Sequence, residues 1–255
     1  MRPPSGPADS EPTLKGPRPP HPRPALGRLE VAAAVEPASL CRAGDGAPVA
    51  ATSMTVGPEV TATMATICAT VRHSYPNIPL GVQILSAANK QALPVALAAD
   101  ADFIRVEGFV FSQISGEGFL DACAGSLLRY RKQIGAEHIQ IFTDIKKKHS
   151  SHGVTSDISV AETARAAEFF LSDGVILTGI ATGMQANPKE PMEIKQAVRI
   201  PAFIGSGVSV ENVEEYMAAD AMIIGSHFKK AGYWANEVDF ERIKKFMTKI
   251  NQLRK

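Results

Sequence analysis

The chain has 255 residues, 45% of them hydrophobic and 21% charged, with a formal net charge of +1. That is enough apolar material for one large cored domain or two small ones, and it creates no global field toward nucleic acid or an anionic membrane. No apolar run reaches the ~20 residues that cross a bilayer. The three cysteines, Cys41, Cys68 and Cys123, lie far apart, which excludes a disulfide framework or a CxxC zinc site and fits a reducing compartment.

Residues 1–53 hold eleven of the eighteen prolines. Proline fixes φ and removes a backbone donor, so this stretch is expected to be a disordered Pro-rich tail. Its arginines (Arg2, Arg18, Arg23, Arg28, Arg42) also suit a mitochondrial signal, but Asp9, Glu11, Glu30, Glu36 and Asp45 count against one. The expected location is therefore cytoplasmic, with mitochondrial as the alternative. Leu29–Val35 is either a short strand or a short helix.

From Met54 onward, helical stretches alternate with short apolar runs. Pro58–His73 reads as a helix. The runs are Pro79–Leu85, Asp102–Glu107, His138–Asp144, Gly174–Gly179, Ile200–Gly205 and Ala221–Gly225, rich in β-branched and aromatic residues and bounded by Gly, Pro, Asp or Asn. Phe119–Gln133, Val160–Leu171 and Val238–Leu253 have helical periodicity between or after them. Strand and helix in alternation mean parallel pairing through right-handed crossovers. The runs recur about every 28 residues, nearly the period of a (β/α)8 barrel of about 250 residues. Residues 54–255 are too few for eight such units, so the expected fold is an α/β TIM-type barrel domain with about six strands, lacking its first two. A doubly wound open sheet is the rival, but no GxGxxG follows a first strand. The strands at both ends of such a sheet would have open edges and invite self-association.

The last two runs end in Gly205-Ser206-Gly207 and Gly225-Ser226. In these barrels phosphate binds at the final loops, where glycine lets backbone N–H groups approach the oxygens. The alternative is a pair of tight turns. In FIRVEG, Arg105 and Glu107 share one face of a strand, because side chains alternate. If the strand in QIFTDIKKKHSSH runs on, Asp144 and Lys146 share a face at the C-terminal rim. They then either divide acid and base roles or form an ion pair that closes the barrel mouth. Asn89 hydrogen-bonds a ligand or caps a helix, and Thr178 lines the mouth. His149 and His152, spaced H-x-x-H, are a weak metal signal. The expected catalytic residues are therefore Asp144, Lys146 and Glu107. The expected ligand residues are Gly205, Ser206, Gly207, Gly225, Ser226, Asn89, Arg105 and Thr178. No metal and no cofactor are expected, and the expected partner is a small phosphorylated ligand rather than nucleic acid or membrane.

The segments VGPEVTATM, LGVQILSAANKQA, FIRVEGFVF, FTDIKKKHSSH, AETARAAEFFLSDGVILTG, GSGV and IIGSHFKKAGYWANEVD, in that order, closely resemble the BtpA/SgcQ family over 55–255. The resemblance implies a ribulose-phosphate-binding type of TIM barrel. It implies a pocket more firmly than a reaction: some members are labelled nucleosidases, and others act in photosystem I biogenesis. Members usually begin with two strands, the second ending in a Glu-Asn…Asp motif, ahead of the VGPE segment. Here the Pro-rich stretch stands in their place, so the resemblance implies a truncated isoform of a eukaryotic member, impaired in any nucleosidase-like activity. A non-catalytic binding or assembly protein is the alternative.

Overall fold

A computed structural model describes residues 33–35 and 55–254. Apart from its short strand at 33–35, the Pro-rich stretch lies outside the described residues. In chain order the elements are β1 (Ala33–Val35), α1 (Pro58–Ser74), β2 (Leu80–Val82), α2 (Asn89–Ala98), β3 (Phe103–Val106), β4 (Gln113–Ser115), β5 (Gly118–Leu120), α3 (Ala124–Gln133), β6 (Gln140–Ile145), β7 (Ser150–Ser151), α4 (Val160–Phe169), β8 (Gly174–Leu177), α5 (Glu190–Ala197), β9 (Ala202–Ile204), β10 (Ala221–Met222) and α6 (Phe240–Leu253). One parallel sheet runs β1-β2-β3-β6-β8-β9-β10. Its last six strands are those expected from the apolar runs, and together they form a partial TIM barrel.

The seventh strand comes from the segment left open between strand and helix. Ala33–Val35 pairs in parallel with Leu80–Val82. The expectation that the first apolar run has an unpaired edge is therefore corrected: β1 covers that side of β2. Among the described residues the outer strands of the sheet are β1 and β10.

Three helices begin on recognisable start signals. Pro58 occupies the first turn of α1, where its missing N–H costs nothing. Ser159 and Glu162 form a reciprocal capping box on α4. Asp239 accepts the Glu241 and Arg242 amides at 3.0 and 3.2 Å to start α6. The expected helix over Phe119–Gln133 is shorter, because Gly118–Leu120 instead pairs with Gln113–Ser115 as an antiparallel hairpin. Helix α2 contains Pro94, which hides its helical character in the sequence.

Side-chain alternation divides the interior. Outward-facing residues such as Val82, Ile104 and Ile141 pack against α1–α3, while Val175, Leu177 and Ile204 pack beneath α4–α6. Inside the barrel, Phe103, Phe142 and Phe203 form a row, the first two edge-to-face at 5.2 Å and the last two stacked at 4.7 Å. Two glycines make room for these rings. A Cβ on Gly81 would lie 2.1 Å from the Phe103 ring, and one on Gly174 would lie 2.4 Å from the Phe142 ring.

A repeated device pins the N-terminal ends of the strands. Asp102 accepts the Leu80 amide at 2.8 Å, Asp173 the Ile141 amide at 2.9 Å, and Asp220 the Ala202 amide at 2.9 Å. Each carboxylate also meets a cation from the helix preceding the strand it holds: Arg72 for Asp102, Arg131 for Asp173 and Lys195 for Asp220.

Candidate functional site at the barrel mouth

The opposite, C-terminal end of the sheet is where barrel enzymes place their chemistry. Directly above the phenylalanine row lies a buried ion pair. Arg105 Nε and Nη2 donate to Asp144 Oδ1 and Oδ2 at 2.8 and 3.1 Å, and both side chains are buried. This fork-to-fork geometry is the strong form of an Arg–carboxylate contact. Gly205 lets it form, since a Cβ there would lie 3.3 Å from Arg105 Nη2 and 2.7 Å from an Ile176 methyl.

One layer higher, Glu107 continues β3 and is 2% exposed. Its carboxylate accepts from Ala87 N at 2.9 Å and from Gln83 Nε2 at 3.2 Å. Asn89 holds the Glu107 backbone, donating to its carbonyl at 2.7 Å and accepting its amide at 3.3 Å. Burial pushes the Glu107 carboxyl up to about 7, Lys147 opposes that rise, and Asp144 adds to it. A carboxyl poised near neutrality, at the end of a barrel strand, can both take and give a proton. Lys147 Nζ sits 3.8 Å from Glu107 Oε1 and 3.9 Å from Glu117 Oε2. Burial would raise the Glu117 carboxyl, but its hydrogen bond with Ser115 and the Lys147 charge win and lower it.

Glu117 arrives on a small antiparallel sheet, β5-β4-β7, built from the loops that follow β3 and β6. That sheet begins a hydrogen-bonded rim. The loop after β6 is tied to the loop after β8, because Thr178 Oγ1 accepts from Lys148 N and donates to Lys146 O. In the same way His149 Nε2 accepts the Thr182 amide at 3.2 Å. Accepting there takes an Nε2 without its proton, and burial, followed by the charges of Lys148 and Lys147, lowers the His149 pKa in the direction of the neutral ring. Ser206 Oγ then joins the loops after β8 and β9, accepting Gly179 N at 2.6 Å and donating to Met184 O at 3.1 Å. Four non-glycine residues of these loops, Ala87, Phe111, Lys146 and His149, have φ between 51° and 57°. Strained backbone of this kind collects at functional sites.

Several expected roles change with this geometry. Asp144 and Lys146 do not pair. The strand ends at Ile145, and Lys146 turns left-handed (φ 51°), so its Nζ points to the carbonyls of Thr155 and Ile158 at 3.2 and 2.9 Å. Asp144 pairs with Arg105 instead. Asn89 is a brace, and Thr178 and Ser206 are clasps whose single hydroxyl protons go to carbonyls. Gly205 and Gly207 serve packing: at Gly207 (φ 73°) a Cβ would lie 2.1 Å from Gln185 Cα. Gly225 is different, since a Cβ there meets nothing within 4 Å, and the nearby Ser226 Oγ approaches the loop of Gly183. Lys147 and Glu117 were missed. The run Lys146-Lys147-Lys148 signals a cationic rim, but only the break at Lys146 decides which ammonium turns inward. Among the described residues no group of three or more His, Cys, Asp or Glu side chains is arranged to hold a metal ion, and no helix is long and apolar enough to cross a membrane.

Residues 47–252 match the family model described as the BtpA family. The chain belongs to the BtpA family. Within that family it is 50% identical over 181 residues to an uncharacterized protein of Caenorhabditis elegans whose name carries the word mitochondrial. That match covers 71% of this chain and 65% of the worm protein, so the chain spans just under two thirds of that relative's length. The photosystem I biogenesis protein BtpA of Synechocystis is 31% identical over 171 residues, covering 66% of this chain and 59% of the cyanobacterial one. Among solved structures, thiamine phosphate pyrophosphorylase from Pyrococcus furiosus superposes with a TM-score of 0.52 at 16% identity, covering 79% of this chain and 81% of that one. At that identity the likeness establishes the TIM-barrel fold of this BtpA-family chain and nothing finer.

Proposed function

We propose that this BtpA-family barrel is an enzyme acting on a small phosphorylated ligand, a sugar phosphate or nucleotide, with Glu107 as its proton-transfer group. One observation carries the reading: a buried carboxyl raised to about 7 stands 3.8 Å from a buried ammonium at the C-terminal end of a barrel strand. The Arg105–Asp144 pair beneath it supplies a rigid, charge-balanced floor. The ligand's phosphate is assigned to the open glycine-serine turn at Gly225-Ser226, facing the loop of Gly183. There backbone N–H groups can approach an anion without displacing packed atoms.

The test is a thermal-shift screen of the full chain with inorganic phosphate, ribose 5-phosphate and nucleoside 5′-monophosphates. At least one phosphorylated compound should raise the melting temperature, and Gly225→Val should weaken that shift about tenfold in concentration while leaving the unliganded melting temperature in place. A panel without any shift, or a Gly225→Val protein that binds as before, overturns the assignment.

A second reading, a non-catalytic assembly protein, is favoured by Phe169, Phe170 and Leu171. These three consecutive apolar residues at the end of α4 are all exposed. Self-association through the outer strands belongs to the same reading, and sedimentation over a hundredfold concentration range would reveal it. The name of the worm relative supports a mitochondrial location, which cell fractionation of the tagged full chain would test.

A further inference from the structure

We propose that Lys147 is a covalent nucleophile whose Nζ condenses with the carbonyl group of a phosphorylated open-chain sugar or keto compound to form an iminium. The proposal rests on the reading of the mouth as a phosphorylated-ligand site and narrows the ligand to a carbonyl compound.

Three consecutive lysines follow β6, and the fold treats each differently. Lys146 Nζ is tied to two carbonyls at 2.9 and 3.2 Å. Lys148 is partly exposed, and its amide is fixed by Thr178. Lys147 alone is turned into the barrel mouth, 5% exposed. Its two carboxylate neighbours come from different elements, Glu107 from the end of β3 and Glu117 from the β4–β5 turn, and both stand off at 3.8–3.9 Å. The buried Arg105–Asp144 pair in the layer below closes to 2.8 Å, a hydrogen-bonding distance that neither contact of Lys147 reaches. Lys147 is instead held between two carboxylates, 3.8 and 3.9 Å away, which sets an amine beside a base as nucleophilic catalysis requires.

The step balances with these groups alone. The Glu107 carboxylate takes one proton from the Lys147 ammonium. The freed amine attacks the carbonyl carbon, the C–N bond forms, and a nitrogen proton passes to the carbonyl oxygen to give the carbinolamine. The Glu107 carboxyl then protonates the hydroxyl, the C–O bond breaks, water leaves, and a protonated iminium remains beside the regenerated carboxylate. A carboxyl raised to about 7 is suited to both transfers at neutral pH. Glu117 is the second negative charge beside the cationic iminium.

The full chain would be incubated with sodium cyanoborohydride and, separately, ribose 5-phosphate, dihydroxyacetone phosphate or glyceraldehyde 3-phosphate, and then mapped by peptide mass spectrometry. At least one compound should leave a reduced adduct at Lys147, about tenfold enriched over every other lysine and suppressed by inorganic phosphate. Lys147→Arg should abolish the adduct while keeping the buried charge. Glu107→Gln should slow labelling about a hundredfold, and Lys148→Arg should label as the parent does. Adducts spread over surface lysines without enrichment at Lys147, or enrichment that persists in Glu107→Gln at the parent rate, overturn the proposal. If phosphorylated compounds raise the melting temperature without an adduct, the covalent step alone is wrong. If they do neither, the phosphorylated-ligand reading is lost with it.

Discussion

Replacing Glu107 with Gln removes a buried group whose charge state depends on folding. In the folded chain the carboxyl keeps its proton up to about pH 7, while in the unfolded chain it releases it near 4.5. Between those values the folded state binds more protons than the unfolded state, so stability falls as pH rises through the window and is level above it. A carboxyl raised from 4.5 to about 7 corresponds to about 3 kcal/mol. Glu107→Gln keeps the shape and an oxygen able to accept the Ala87 amide, and it carries no proton to lose. The assay is urea unfolding of both proteins in steps from about pH 4.5 to about pH 8, read as the difference between the two stability curves. His149, His152 and His227, all with lowered pKa values because burial disfavours their charged form, titrate in both proteins and cancel in that difference. The parent should lose about 3 kcal/mol relative to the variant across the window. Parallel curves would show that Glu107 ionises freely in the folded state and would remove the physical basis for its proton-transfer role.

Asp144→Asn removes the carboxylate that the buried Arg105 guanidinium forks onto and should cost about 3–5 kcal/mol by urea unfolding; a loss under about 1 kcal/mol would show that water reaches the pair. Lys146→Met removes two hydrogen bonds to carbonyls and should cost about 2 kcal/mol, with labelling of Lys147 unchanged; loss of that labelling in a folded variant would restore Lys146 to the site. Gly207→Ala puts a Cβ against the Gln185 backbone at a positive φ and should lower stability by more than about 2 kcal/mol, whereas Gly225→Ala should stay within about 0.5 kcal/mol. Equal effects at the two glycines, measured by thermal unfolding, would contradict the packing described for the rim.

The frame of the molecule was legible because apolar runs of regular spacing, each flanked by Asp, Gly or Pro, leave few alternatives to a parallel sheet. The strand at Ala33–Val35 was not, since three small or branched residues suit strand and helix equally until Leu80–Val82 offers a partner. The helix expected from Phe119 starts only at Ala124, because Phe119 and Leu120 belong to a hairpin whose pairing is decided by a distant loop: Ile114 and Ser115 also pair with Ser151 and Ser150. Within the candidate site, strand alternation alone puts Arg105 and Glu107 on one face at the end of β3, where both are buried. That rule fails where the strand stops. It placed Lys146 opposite its true direction and passed over Lys147, because a single left-handed residue shifts the phase by one. For Thr178 and Ser206 the sequence shows a hydroxyl at a loop but not the carbonyl, of Lys146 or Met184, that receives its proton.

The aspartate anchors beneath the sheet fall at alternate junctions, between β2 and β3, between β6 and β8, and between β9 and β10. The junctions between them, β3 with β6 and β8 with β9, are met at that end by backbone contacts such as Gln140 N to Asp102 O and Val175 N to Pro201 O. The wall is thus assembled as doublets, each carrying its own lock in the pattern Ala-Asp or Ser-Asp just before its second strand. A doublet is a self-aligned cassette. Its exchange between relatives would carry the alignment along, so the loops above could diversify, and new chemistry arise, without renegotiating how the strands line up below.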